Sequence, residues 1–322
     1  MGRPYRLAVL SLAVICTGCG AESVLLEAPG SHLVTVADQL ALPGEAIQLQ
    51  AKVEAGDFLS SQPGLIVSFR RDGQLYKAAE TDGEGVASVT FTPPAEGDYR
   101  FEVTISPVGM AGVPPEPRSL LVACRPADER MVVVDLDRTL VGSGFQSVLI
   151  GDPEPMAGSQ DVLARLARTH TVVYLTHRPE HFGPKSKAWL EKHNYPPGPV
   201  LLSTVEQYLR GSGRYKSAAL SELTQRFNRI EIGVGDKHSD ALAYHENGLR
   251  SFWIVPLPEP DQTEQLKELA EQLAQTPPDV QVVITWEQIS GVLERGESYR
   301  PARLAQFVSD MITLSAAEQQ EP

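Results

Sequence analysis

Two patterns of apolar and polar positions divide the chain. Between residues 31 and 124 apolar and polar residues alternate, which puts successive side chains on opposite faces of a β-strand. Ile47, Leu49, Ala51 and Val53 share one face, with Gln48, Gln50 and Lys52 on the other. Tyr99, Phe101, Val103 and Ile105 repeat the arrangement against Arg100, Glu102 and Thr104. Turn-forming pairs at Pro43-Gly44, Asp72-Gly73, Asp82-Gly83 and Gly97-Asp98 punctuate these runs. Short alternating strands with such turns predict a β-sandwich over 31–124.

A different pattern begins at residue 131. Continuous apolar runs at 131–136, 171–176, 200–203, 230–235 and 251–255 alternate with amphipathic helical stretches near 158–169, 184–193, 213–228 and 239–247. Strands that are apolar on both faces and separated by helices predict an α/β domain, a doubly wound parallel sheet covered on both sides. A charged helix at about 261–275, an apolar strand at 280–285 and a last amphipathic helix follow. That helix carries Leu304, Phe307, Val308 and Met311 on one face and is expected to pack onto the sheet. The expected order is a sandwich over 31–124, a polar linker over 125–130 containing Pro126, an α/β domain over 131–317 and a disordered tail over 318–322.

The N-terminus reads as an address. Arg3 and Arg6 precede an apolar run over 7–15 that only Ser11 interrupts. Such a run is too short for a bilayer core of roughly 30 Å, which needs about 20 helical residues, so residues 1–18 are expected to be a secretory signal. Thr17-Gly18-Cys19 resembles the lipobox of bacterial lipoproteins, although Cys16 stands where Leu is usual. The resemblance implies that Cys19 is lipidated, that 19–30 is a tether, and that the protein is anchored in the bacterial cell envelope, facing periplasm or exterior. A plain secreted protein cut nearby is the alternative. The chain has three cysteines, and once Cys16 and Cys19 are assigned this way Cys124 has no partner, so no disulfide is expected.

Charge narrows the partners. The chain carries −13, and loss of the two cations Arg3 and Arg6 takes it to −15. That balance argues against nucleic acid, whose phosphates bind basic surfaces, and against broad electrostatic adhesion to anionic lipid. Membrane attachment is expected through the anchor.

The chemistry lies at strand ends, where ligands bind in open parallel sheets. Asp135 and Asp137 close the first apolar run of the α/β domain, and Asp236 and Asp240 follow the run ending at Gly235. Carboxylates crowded beside an apolar sheet repel one another and lose hydration, which calls for a cation, and Mg²⁺ suits one or two carboxylates plus phosphate oxygens. Asp135-Leu136-Asp137-Arg138-Thr139, then the strand-terminal Thr176, then Lys216, then Gly235-Asp236-Lys237-His238-Ser239-Asp240 resemble, in this order, the motifs of haloacid-dehalogenase (HAD) phosphohydrolases.

The resemblance implies a Mg²⁺-dependent phosphomonoester hydrolase with a role for each motif residue. Asp135 is the expected nucleophile and Asp137 the acid–base, with Asp137 requiring a raised pKa. Thr176 and Lys216 are the expected phosphate-binding groups. The metal set is expected to be Asp135, Asp137 through its backbone carbonyl, Asp236 and, through water or by orienting Lys216, Asp240. Arg138 stands where many members carry Gly. The spaces after Thr139 and after Thr176 are too short for a large cap domain, and an open site suits a phosphate fixed in a surface.

Tyr174-Leu175-Thr176-His177-Arg178-Pro179, Pro197-Gly198-Pro199-Val200-Leu201-Leu202-Ser203 and Pro155-Met156-Ala157-Gly158 are similar to the lipin/Nir branch and related phosphatidate phosphatases, which implies a lipid phosphate substrate. Residues 81–87 with Phe91-Thr92-Pro93 and Gly97-Asp98-Tyr99 resemble bacterial Ig-like modules, a spacer by default and a partner-binding module otherwise. Arg165, Arg168, Arg178, Lys185, Lys187 and Lys192 against Glu180 and Glu191 give +4 over 165–192, a basic patch expected beside the phosphate site. Within it Arg178 is expected to grip phosphate in a two-pronged contact.

Rival readings are a broad-specificity exported acid phosphatase or nucleotidase, which lacks support because its DxDE-type motif is absent, and a catalytically silent binding lipoprotein. His177-Arg178-Pro179-Glu180-His181 also matches a zinc-protease pattern, but that pattern needs a continuous helix, which Pro179 opposes. His238 and His245 are expected on a surface helix, and Gly142-Ser143-Gly144 as a turn without the context of a phosphate-binding loop.

Overall fold

The computed structural model describes residues 32–56, 59–107, 115–144 and 151–318. The expected signal over 1–18, Cys19, the tether and residues 319–322 lie outside the described residues.

The N-terminal unit is an Ig-like β-sandwich. One sheet joins β1 (His32–Val36), β3 (Ile47–Ala55), β4 (Ser60–Ser61) and β7 (Val86–Phe91), with β3 paired antiparallel to the other three. The other runs β2 (Gln39–Ala41), β9 (Arg118–Cys124), β8 (Gly97–Ile105), β5 (Ile66–Arg71) and β6 (Gln74–Glu80). The alternation read from the sequence is the alternation of burial. Ile47, Leu49, Ala51 and Val53 meet Phe101, Val103 and Ile105 in one core, while Gln48 and Gln50 face out and bond Thr90 and Ser88 across the strands.

The second unit holds a six-stranded, all-parallel sheet in the order β12 (Val200–Ser203), β11 (Thr171–Pro179), β10 (Arg130–Val134), β13 (Arg229–Gly235), β14 (Arg250–Ile254), β15 (Gln281–Val283). The chain runs outward from β10 through β11 to β12, then returns to β13 on the other side of β10. Helices cover both faces: α1 (Ser159–Leu166), α2 (Gly183–Lys192), α3 (Val205–Leu209), α4 (Ser212–Arg226), α5 (His238–Glu246), α6 (Thr263–Gln275), α7 (Trp286–Glu294) and α8 (Pro301–Glu318). Along β10 the side chains split between the faces. Val132 and Val134 pack with α1 and α7 through Val162, Leu163, Trp286 and Ile289, and Met131 and Val133 pack with α4 and α5 through Leu220, Leu223 and Tyr244.

Three elements depart from expectation. The strand expected over 280–285 is only Gln281–Val283, because the Thr285 side chain accepts a hydrogen bond from Gln288 N and caps α7, which the sequence reading did not separate. β11 continues to Pro179, which pairs with Ser203. The last helix does not simply lie on the sheet: α8 packs mainly along α6, with Val308 buried and Phe307 left exposed.

The two units touch. Leu40 and Ala123 of the sandwich belong to the same apolar cluster as Met131, Val133 and Phe227. Residues 125–130 do not hang free between them, since Arg125 donates to Asp98, to Gly97 O and to Thr171 Oγ1.

Glu231 ties together the strand ends opposite the site. Arg130 donates to both its oxygens (2.9–3.1 Å), Arg229 donates at 2.8 Å, and His170 lies at 3.3 Å. The Arg130 hydrogen bonds, with those of His170 and Arg229, hold the Glu231 carboxyl down at about 2, against 4.5 for an ordinary glutamate. A depressed carboxyl stabilises the fold fully above its unfolded value and loses that contribution as pH falls through its folded value. Glu231→Gln is expected to lower stability by about 1 kcal/mol at pH 7, because the pair is only half-buried. In urea melts the gap between wild type and variant should close as pH falls from 4.5 towards 2. A gap that persists at the acid end would show that charge is not what Glu231 contributes.

Candidate active site

The sheet reverses its direction of winding between β10 and β13, and ligands bind at the carboxyl ends of strands at such a switch. Asp135 follows β10, where its N–H donates to Val234 O at 2.9 Å, and Asp236 follows β13. Their elements are adjacent and parallel, so the two carboxylates must emerge side by side. Asp240 sits in the first turn of α5, and Gly235 lets it approach: a Cβ there would stand 2.8 Å from the Asp240 Cβ and 2.9 Å from its Oδ2. Trp253 Nε1 donates to Asp236 O at 2.8 Å and fixes the loop.

Asp135, Asp236 and Asp240 form one buried group whose carboxylate oxygens lie within 4.8 Å of each other, the one such cluster of metal-ligating side chains among the described residues. Lys216 on α4 enters this group with its side chain fully enclosed, its Nζ 2.6 Å from Asp240 Oδ2 and 3.0 Å from Asp135 Oδ2. Burial opposes a charged lysine, but Asp135 and Asp240 outweigh it and hold the ammonium well above the usual lysine range. The carboxylates are not so well served. Burial, then the charges of Asp135 and Asp240, push Asp236 up to about 7, and burial raises Asp240 despite Lys216. Asp236 Oδ1 and Asp240 Oδ1 are buried without a hydrogen-bond partner.

The count explains the strain. Three carboxylates crowd one enclosed ammonium in a largely buried space, and negative charge is in excess there. A hard divalent cation restores neutrality and gives the orphaned oxygens a partner, so the residues present fit Mg²⁺. Asp135, Asp236 and Asp240 are the side chains that could hold it, and Asp240 also accepts a hydrogen bond from Lys216.

Asp137 turns away from this group. Arg178 Nε and Nη2 grip its two oxygens at 3.0 and 2.7 Å, and Arg178 Nη1 donates to Ser186 Oγ at 3.0 Å. The Arg178 side chain is 1% exposed and the Asp137 side chain 23%, so the pair opens outward on the Asp137 side. Arg178, expected to hold phosphate, therefore has its fork on Asp137 in this structure. Thr176 is buried at the end of the apolar part of β11, with its Oγ1 3.4 Å from Arg178 N.

The expected basic patch does not form. The basic residues of 165–192 do not pool beside the site, because Arg165, Lys187 and Lys192 are committed to Glu294, Asp38 and Asp152. The zinc-protease pattern is excluded, since β11 runs through His177 to Pro179. His177 stacks on Tyr208 at 4.8 Å between ring centres, and His181 lies against Phe182. His245 meets Asp279 on the outer side of α5, and His238 lies by Trp253.

Arg138 carries a feature the sequence did not announce. Its φ is 55°, in the left-handed region where a side chain costs about 1–2 kcal/mol and glycine costs nothing. Its side chain lines a crevice of about 420 Å³ with Gly142, Met156, Ile254, Val255, Pro256, Leu257 and Ile284. These residues come from loops beyond β10, β14 and β15, so no local pattern marks them. A larger groove of about 880 Å³ between α6 and α8 contains none of the site carboxylates.

Fold and carboxylate cluster together define a HAD-type domain. Residues 132–255 match the family model described as "PITM 1-3, LNS2 domain", and this part of the chain is an LNS2 domain, of the lipin/Nir type. Among solved structures, the chain is similar to the CARDB domain of a Pyrococcus furiosus protein at 19% identity, over 29% of this chain and 95% of that one, with a TM-score of 0.22. It is also similar to the fibronectin(III)-like modules of Clostridium thermocellum CbhA at 14% identity, over 29% and 96%, with a TM-score of 0.21. Titin M3 matches at 11% identity over 29% and 96%, with a TM-score of 0.21. No curated protein matches the chain.

The charge count predicts a crossover in thermal melting. In EDTA, Asp236→Asn is expected to melt at or above wild type, because it removes one of three crowded charges. With Mg²⁺ at a hundred times its dissociation constant, wild type should gain about 2.7 kcal/mol and overtake the variant. Equal Mg²⁺ shifts in both proteins would place the cation elsewhere.

Proposed function

We propose that this chain is a Mg²⁺-dependent phosphomonoester hydrolase working through an aspartyl-phosphate on Asp135. The observation that carries this is the buried trio of Asp135, Asp236 and Asp240 around Lys216, in which carboxylates outnumber the ammonium. Asp135 attacks phosphorus, and the leaving oxygen takes its proton from Asp137. Asp137, left as a carboxylate, then deprotonates the water that attacks the phosphoenzyme, which releases phosphate, frees the Asp135 carboxylate and returns Asp137 to its protonated form. Although Arg178 occupies one lone pair on each Asp137 oxygen, a carboxylate retains further acceptor sites for substrate or water. Thr176 donates to a phosphoryl oxygen, and Lys216, oriented by Asp240, offsets the charge that develops as the phosphoryl group moves. When bound at Asp135, Asp236 and the Asp137 backbone carbonyl, Mg²⁺ supplies the remaining positive charge.

For the substrate we favour a lipid phosphate such as phosphatidate. The support is the crevice beside Arg138, whose apolar lining of Met156, Ile254, Leu257 and Ile284 suits the aliphatic part of an ester whose phosphate sits at Asp135. We read the protein as lipid-anchored at Cys19 in a bacterial envelope, with membrane lipid within reach of an uncapped site and no nucleic acid among its partners.

Phosphate release from phosphatidate, lysophosphatidate, nucleotides and a chromogenic ester is expected to stop in EDTA and in Asp135→Asn. Ile284→Asp should lower kcat/KM for long-chain esters about tenfold more than for the chromogenic ester, since each buried methylene contributes about 0.8 kcal/mol. Equal losses on both would remove the crevice from substrate binding, and a preference for nucleotides would overturn the lipid assignment. Residual activity in Asp135→Asn would overturn the aspartyl-phosphate route.

A further inference from the structure

We propose that the β-sandwich is a working part of the phosphatase site rather than a detachable spacer, with Asp38 as a positioning residue for Asp137. The proposal rests on the phosphatase reading above and adds a component that lies outside the HAD-type domain.

Asp38 stands between β1 and β2 and is 4% exposed. It accepts three hydrogen bonds: from Leu121 N of its own sheet at 2.7 Å, from Val200 N at the start of β12 at 3.0 Å, and from Lys187 Nζ on α2 at 2.6 Å. Lys187 Nζ also donates to Ser119 O of the sandwich at 2.7 Å. One carboxylate therefore fastens both an edge strand and a helix of the second domain to the first.

Those two elements are the ones that hold Arg178. Next to Lys187 on α2, Ser186 Oγ accepts from Arg178 Nη1 and donates to Phe182 O, both at 3.0 Å. At the far end of β12, Ser203 Oγ donates to His177 O and Arg178 O. The short 3-10 turn between β11 and α2, Glu180–Phe182, packs against β1 of the sandwich. Arg178 in turn grips both oxygens of Asp137. A continuous set of contacts thus runs from Asp38 through α2 and β12 to Arg178 and on to the acid–base carboxylate.

Adhesion alone does not call for this arrangement. Leu40 and Ala123 already join the two domains through a shared apolar cluster. Apolar contact has no direction, whereas the Asp38 carboxylate ties Leu121 N, Val200 N and Lys187 Nζ to one point. An acid–base group needs its position held within a fraction of an ångström, and a displacement of about 1 Å costs on the order of a hundredfold in rate.

The test uses the full chain with Mg²⁺ and compares Asp38→Asn, Lys187→Met, the double variant and Lys187→Arg. Hydrogen exchange is followed over 178–192, and kcat and KM are measured on a soluble chromogenic phosphate ester. Expected are faster exchange over 178–192 with β10 and β13 unchanged, kcat lower by about tenfold or more, and KM within about twofold. The double variant should be no worse than either single one, because both break the same link, and Lys187→Arg should recover part of kcat. Lys187, being partly exposed, also tests the link should Asp38→Asn fail to fold. Faster exchange with unchanged kcat would make Asp38 a mere fastener, and unchanged exchange with unchanged kcat would remove the link altogether; either overturns the proposal. A wild-type chain inactive on all esters would instead overturn the phosphatase reading, and the exchange data would then still report whether the sandwich orders Arg178.

Discussion

Charge that cannot escape governs this site. Asp135, Asp236 and Asp240 are held within a few ångströms of one another and largely buried, with Lys216 as the cation in contact with them and Lys237 acting from further off. In bulk water such a cluster would be tolerable; in a buried pocket the same separation costs several times more, since the effective dielectric constant is lower. The upward pressure on Asp236 and Asp240 expresses that cost. A pocket that gathers this much negative charge fits a divalent cation.

The sheet makes the crowding unavoidable. Because winding reverses between β10 and β13, their carboxyl ends are neighbours, and the residues that follow them have one space to enter. Small residues permit the closest approaches. Gly235 leaves room for Asp240, and Gly198 passes so near Val172 that a Cβ would lie 2.0 Å from its carbonyl oxygen. Arg138 works the other way: it keeps a side chain where the backbone is left-handed, and the strain is set beside an apolar crevice one residue along the chain from Asp137.

Much of this was legible in the sequence because it is encoded locally. Alternation in the sandwich and continuous apolar runs in the parallel sheet follow directly from which faces are buried, and strand-end carboxylates mark themselves by position. What escaped depends on distant parts of the chain. The fork of Arg178 on Asp137 joins residues from two strands, and Ser186 supports it from a helix. Asp38 looks like a turn residue in isolation, and only the docking of the two domains gives it Val200 and Lys187 as partners. The basic stretch over 165–192 misled for the same reason: its acidic partners Glu294, Asp38 and Asp152 lie elsewhere in the chain. Capping by Thr285 was within reach of sequence reading, but the apolar run before it masked the helix start.

The central claim is that Asp135, set in an over-charged pocket beside a divalent cation, takes the phosphoryl group itself. The most direct measurement is rapid quenching of the full chain during turnover of a phosphate ester with Mg²⁺, borohydride reduction of any acyl phosphate, and peptide mapping by mass spectrometry. The account predicts that Asp135 alone is converted to homoserine, and only when Mg²⁺ and substrate are both present. Phosphate released in the same turnover with Asp135 unmodified, or a label on another residue, would contradict it.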